Sequence, residues 1–175
     1  MTSMPAALER FTEAGFRAAG FSGFQTVGEL RSTKLEAVPR DPGVYVVIRV
    51  DSSSPTYLAQ SAGGWFKGND PTVPTATLAA KWVAGAQLLY CGKATGGSKG
   101  ANGLGKRLGL LLRYGAGKPV GHQGGRYLWQ VAGADEFLIA WRAAEDPTAE
   151  ENRLLADFFE AYGAYPFANI AGPRA

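Results

Sequence analysis

Leu88-Leu89-Tyr90-Cys91-Gly92-Lys93-Ala94, taken with the earlier Gly43-Val44-Tyr45, decides how this chain is read. Each is a short apolar run with a tyrosine toward its end, and the later one gives way to a glycine-rich loop that begins with a lysine. Both therefore read as strands of one sheet that brings two phenols and an ammonium to a common edge. Residues 44–50 are β-branched toward both faces, which predicts a central strand, and 88–92 is expected to run antiparallel to it. A third strand is expected over 137–141.

Helical periodicity appears on either side of these strands. Leu104, Leu108, Leu111 and Leu112 fall on one stripe and predict a helix over 104–114. Arg107 lies at the edge of that stripe, nearly beneath Tyr114, and can reach over the sheet edge. Leu8, Phe11, Ala14 and Phe16 suit one amphipathic helix over 5–20, ended by Gly20. Residues 21–39 read as a connection with a short helix near Val27 and Leu30, and 39–43 as a turn. Residues 51–80 turn to Ser, Pro, Thr and Gly with isolated aromatics, among them Tyr57, Trp65 and Phe66. This predicts a folded insertion or a long binding loop. A short helix over 77–86 would carry Trp82 inward. A glycine loop is expected over 95–105, another loop over 121–126, a short element of unassigned type over 127–131, and a last helix over 147–162.

The expected fold is one α/β (α+β) domain with a three-stranded mixed or antiparallel sheet flanked by helices. Residues 1–41 read as an N-terminal helical extension, and 42–175 as the domain proper, with the insertion at 51–86. At 175 residues, with 46% apolar and 19% charged, the chain suits one globular core. A single cysteine excludes an internal disulfide framework and a thiolate-built zinc site, and Cys91 reads as a small packing residue. The N-terminal stretch lacks a basic segment backed by an apolar run, and no run approaches the roughly eighteen apolar residues of a membrane span. The expectation is a soluble, cytoplasmic protein without a membrane partner.

Charge is unevenly spread. The net value is only +3, yet no acid stands between Asp70 and Asp135, where Lys81, Lys93, Lys99, Lys106, Arg107, Arg113, Lys118 and Arg126 lie. Elsewhere ten basic residues face fifteen acidic ones. Such a block fits a polyanion, because neutralising phosphates releases condensed counterions. On the last helix Glu151 projects into the apolar face of Leu154, Leu155, Phe158, Phe159 and Tyr162, within about 40° of Leu155 and Phe158. A carboxylate there is costly unless it is paired or holds a cation. Thr148 to Glu151 fits a capping box, but Asp146-Pro147 is the better cap and leaves Glu151 inside the helix as a metal or active-site group.

These residues, in this order, resemble the GIY-YIG nuclease superfamily. Gly43-Val44-Tyr45 and Tyr90-Cys91-Gly92 match its two strand motifs, and Lys93 follows the second. Arg107 lies on the next helix, Glu151 opens a late helix, and Asn169 stands near the end in the spacing Pro166-x-x-Asn169. The resemblance covers 42–169. It implies a metal-dependent endonuclease that hydrolyses nucleic-acid phosphodiesters, with DNA the expected partner and a 5′-phosphate left behind. It implies catalytic roles for Tyr45, Tyr90, Lys93, Arg107 and Glu151, with Glu151 holding Mg²⁺ or Mn²⁺. Gly92, Lys106, Arg113, Tyr114, His122, Arg126 and Asn169 complete the expected substrate-binding set.

Two departures stand out. Where the superfamily often has histidine or tyrosine one turn after the arginine, this chain has Leu111, so a second proton-transfer group comes from Tyr114 or His122 or is missing. The insertion also sets the strand motifs far apart. His122 reads either as a proton carrier or phosphate contact, or as a solvated loop histidine. Asn169 reads either as a brace for the site or as a residue bonded to backbone. Gly100 to Lys106 has phosphate-loop spacing, but Arg107 replaces the hydroxyl residue that would hold Mg²⁺, which sets nucleotide hydrolysis aside. The alternatives are a non-cleaving nucleic-acid-binding module and a protein-interaction domain that uses Trp65, Phe66 and Trp82.

Overall fold

The computed structural model describes residues 5–96 and 103–173. Lys99, Gly100 to Asn102 and the first four residues, on which some of these expectations fall, lie outside the described residues. Four strands, β1 (Ser22–Thr26), β2 (Gly43–Ile48), β3 (Leu88–Ala94) and β4 (Leu138–Ala143), form one antiparallel sheet in the order β1-β4-β2-β3. Among the described residues six α-helices accompany it: α1 (Ala6–Glu9), α2 (Glu13–Ala18), α3 (Val27–Ser32), α4 (Thr75–Lys81), α5 (Leu104–Gly115) and α6 (Pro147–Tyr162).

Every residue of β2 is buried, as a strand apolar on both faces requires. Alternation along it sends Tyr45 and Val47 to one side and Val44, Val46 and Ile48 to the other. The first side is covered by Leu30 of α3, Leu104, Leu108 and Leu111 of α5, and Leu128 and Trp129 of a 3-10 segment, Gln123–Gln130. The second is covered by Leu154, Leu155 and Phe158 of α6 together with Phe11 and Phe16. Each such side chain contributes roughly 1.5–3 kcal/mol by leaving water. The result is helices, sheet and helices in three layers, with β3 at one edge.

Three expectations are corrected. The sheet has four strands, not three, because Ser22–Thr26 adds to β4 through a bulge at Gly23 and Gln25. Trp141 lies over Gly23, where any β-carbon would meet its indole. Residues 1–41 are therefore more than a helical extension, since they supply an edge of the sheet. The single helix expected over 5–20 is two short ones. Thr12 stops the first by donating its hydroxyl to the Glu9 carbonyl and caps the second by accepting from the Gly15 amide. A β-carbon at Gly15 would collide with the backbone of Glu9 and Arg10, so the sharp corner requires glycine there. The element over 127–131 is mostly 3-10 helix, ending in a bridge between Val131 and Tyr57.

The insertion is folded, and Gln130 holds it. This buried side chain donates to the carbonyls of Leu58 and Val73 and accepts from the Val73 amide. Backbone bonds from Leu58 to Gln130, Ala62 to Trp129 and Gly64 to Tyr114 add to the attachment. Helix α4 is offset from the expected 77–86. Trp82 follows it and packs edge-on against Phe167, with centroids 5.0 Å apart. Trp65 stands 58% exposed, while Phe66 packs against the core.

Candidate active site

Cross-strand register builds the site. Tyr45 lies opposite Gly92, and Val47 opposite Tyr90, so both phenols fall on the α5 side of the sheet. The Tyr45 ring occupies the space above Gly92, where a β-carbon would land on its Cζ and Oη atoms. This is why the position is glycine. The two phenol rings stand 6.0 Å apart. One residue further along, Lys93 pairs with Val44 and points to the opposite side, toward α6.

Asp146 caps α6 by accepting from the Ala149 amide, and Pro147 opens the helix. Glu151 is therefore an interior residue and not a capping group. Glu150 ion-pairs with Arg142 and Arg153. Glu151 pairs instead with Lys93, Oε1 to Nζ 3.7 Å, with the two side chains 15% and 27% exposed.

The two sides of the sheet meet around the free edge of β3. A cleft of about 220 Å³ there is lined by Tyr90, Lys93, Arg107, Glu151 and Asn169, with Gly124 and Ile170 among the rest of its wall. Asn169 braces this edge. Its amide accepts from the Cys91 N–H and donates to the Cys91 carbonyl, both at 2.9 Å, so it stands where a further strand would pair. The bracing and backbone-bonding readings of Asn169 are thus one arrangement. Cys91 itself is buried, and burial pushes its thiol well above the usual range, as expected of a packing residue.

Tyr45 lies beneath the cleft and not on its lining. It is fully buried, and its hydroxyl is 3.0 Å from His122 Nε2. Burial raises its pKa well above the usual phenol value, the neighbouring Tyr90 adds to the rise, and Arg107 opposes it. Burial likewise pushes Tyr90 up to about 12, against the pull of Arg107. Both are neutral phenols at pH 7. The histidine departs most from expectation, because it is 2% exposed and not a solvated loop residue. Burial, and then Arg107, hold its pKa down to about 3, so it is a neutral imidazole. Its Nδ1 is buried with no hydrogen-bond partner among the described residues.

Lys106 sits beside the cleft, in a neighbouring depression of about 280 Å³ that also takes in Lys93 and Arg107. Three other residues grouped by sequence lie apart. Arg113 is exposed, two turns along α5. Tyr114 is buried against Gly63 of the insertion. Arg126 lies over the ring of Tyr127, 5.3 Å from its centroid. Leu111 is fully buried, and His122 reaches the phenols from a different loop. Nothing periodic marks that approach in the sequence. A β-carbon at Gly124 or Gly125 would meet Tyr90 only at ordinary van der Waals distance, so these glycines do not mark the approach either.

Among the described residues no group of three or more His, Cys, Asp or Glu converges. Among the described residues that line the cleft, Glu151 is the one carboxylate. That donor set suits Mg²⁺ or Mn²⁺ shared with a substrate phosphate and several waters, and does not suit a cage built by protein groups alone. No protein-family profile, curated protein or solved structure matches the chain. Among the described residues no helix is long and apolar enough to cross a membrane.

Proposed function

We propose that the chain is a divalent-metal-dependent endonuclease that hydrolyses nucleic-acid phosphodiesters, most readily DNA, in the cleft at the edge of β3. The supporting observation is the convergence there of Tyr90, Lys93, Arg107, Glu151 and Asn169, brought from four separate stretches of sequence. It is also the activity that the GIY-YIG resemblance implies.

In this reading the guanidinium of Arg107 and the ammonium of Lys93 bind non-bridging oxygens of the scissile phosphate. They offset the charge that grows as water adds to phosphorus. Glu151, ion-paired with Lys93 in this structure, would be the residue to hold Mg²⁺ or Mn²⁺. Such an ion supplies polarisation of the phosphate and a lowered pKa for bound water. Tyr90, on the cleft wall, orients the phosphate. Tyr45, the base expected from the sequence, is buried beneath the cleft with its pKa raised, and His122 beside it binds a proton only near pH 3, so this pair does not serve as the base. Tyr45 instead backs Tyr90, with ring centroids 6.0 Å apart, and its own hydroxyl is held by the neutral imidazole of His122 at 3.0 Å.

The test is incubation with supercoiled plasmid, single-stranded DNA and branched DNA in Mg²⁺, Mn²⁺ or EDTA, beside Glu151→Ala and Arg107→Ala. Each variant is expected to lose about 10²-fold or more of a metal-dependent cleavage while keeping its circular dichroism. Cleavage that survives both substitutions overturns the mechanism. A non-cleaving nucleic-acid-binding module is the second reading, favoured by the ion pair that already occupies Glu151. Salt-sensitive binding without metal-dependent nicking selects it.

A further inference from the structure

The catalytic cleft continues in two directions, and its two continuations differ in chemistry. On one side it shares Lys93 and Arg107 with the depression that contains Lys106. That depression shares Lys106 with a further one of about 350 Å³, lined by Lys34 and Arg40. Five cations thus line adjoining depressions, and no acid is among the described residues that line the two beyond the cleft. On the other side the cleft shares Asn169 and Ile170 with a groove of about 730 Å³ between α4 and the end of α6. Trp82, Phe159 and Tyr165 line this groove with Lys81, again without an acid. Phe159 is 46% exposed, an unusual state for a phenylalanine on a packed helix, and stacks at a tilt on Tyr165 with centroids 4.9 Å apart.

A row of cations without aromatic rings matches a phosphate backbone whose bases are paired and turned inward. Aromatic rings with one cation match unpaired bases, which stack on ring faces regardless of their identity. Glu151 lines the cleft between the two.

We infer that this protein takes its nucleic acid at a junction between paired and unpaired strands, with duplex backbone along Lys34, Arg40 and Lys106 and the single-stranded arm in the groove of Trp82, Phe159 and Tyr165. The inference rests on the hydrolase reading for the place of the scissile bond but not for binding. It names the substrate class as a splayed or flapped end, in preference to a continuous duplex.

The test reads binding in EDTA by fluorescence anisotropy, with three labelled DNAs of equal length: a blunt duplex, a single strand, and a duplex with one unpaired arm. The armed duplex is expected to bind about tenfold more tightly than the other two, the scale of one base stacked on an aromatic ring. Phe159→Ser should erase that preference and leave blunt-duplex affinity unchanged. Lys34→Gln with Arg40→Gln should weaken blunt-duplex binding and flatten its salt dependence. Equal affinity for the three DNAs, or a preference untouched by Phe159→Ser, overturns the inference. Junction binding without metal-dependent cleavage removes the hydrolase reading and leaves this one standing. Cleavage without junction preference does the reverse.

Discussion

Replacing Gly92 by alanine tests how the two tyrosine strands are fitted together. The β-carbon would occupy the space of the Tyr45 Cζ and Oη atoms, and that ring is fully buried and cannot swing into solvent. Backbone strain plays no part, since Gly92 does not have a positive φ. Forcing an extra methyl into a closed core costs about 1–3 kcal/mol. Turning the phenol aside also parts it from His122, leaving a buried ring nitrogen without a partner, for about 1–2 kcal/mol more. Gly92→Ala should therefore destabilise the protein by about 2–5 kcal/mol in urea unfolding. In a Tyr45→Ala background the space is vacant, and the same substitution should cost less than about 1 kcal/mol. Single and double variants whose effects add to within about 0.5 kcal/mol would refute this account of the glycine.

Two further outcomes follow from buried polar groups. Gln130→Leu removes three hydrogen bonds and strands the Val73 amide, so stability should fall by about 2–4 kcal/mol. Limited proteolysis should then cut first within 51–86. His122 binds its proton near pH 3 when folded and near 6.5 when unfolded, so between those values the unfolded state holds more protons. Stability should therefore fall on acidification below pH 6.5, by at most ~1.4 kcal/mol per pH unit from this residue, and His122→Gln should flatten that slope. At the alkaline end Tyr90, with its pKa raised from 10.0 to about 12, contributes stability that is complete below pH 10 and is lost as the pH climbs through that interval.

What could be read in the chain beforehand depended on how locally each feature is encoded. Helix α6 was legible to the residue because an Asp-Pro start and an apolar stripe lie within one segment. Strands β2 and β3 were legible for the same reason. Strand β1 was not, because Ser22-Gly-Phe-Gln-Thr26 has one large apolar residue, broken by a bulge, and is held in place by β4 more than a hundred positions away. The Thr26–Glu29 capping box was a sign that something ended there and α3 began. In the site, Glu151 and Arg107 could be placed from helical geometry alone. The partnership of His122 with Tyr45 could not, since a glycine-rich loop carries no period and the contact is purely tertiary. Arg113 and Arg126 show the opposite case. They share a basic block with Arg107 in sequence, but a helix and a loop carry them elsewhere.

Strand β3 is the outermost of its sheet on the cleft side, and such a rim ordinarily welcomes a visiting chain. Here the primary amide of Asn169 fills both bonding positions of Cys91, and the Ala168 N–H donates to the Leu89 carbonyl. Molecules with this latch seated have the Cys91 positions closed to one another. Molecules clipped ahead of Pro166 would have them open, and should self-associate rim to rim.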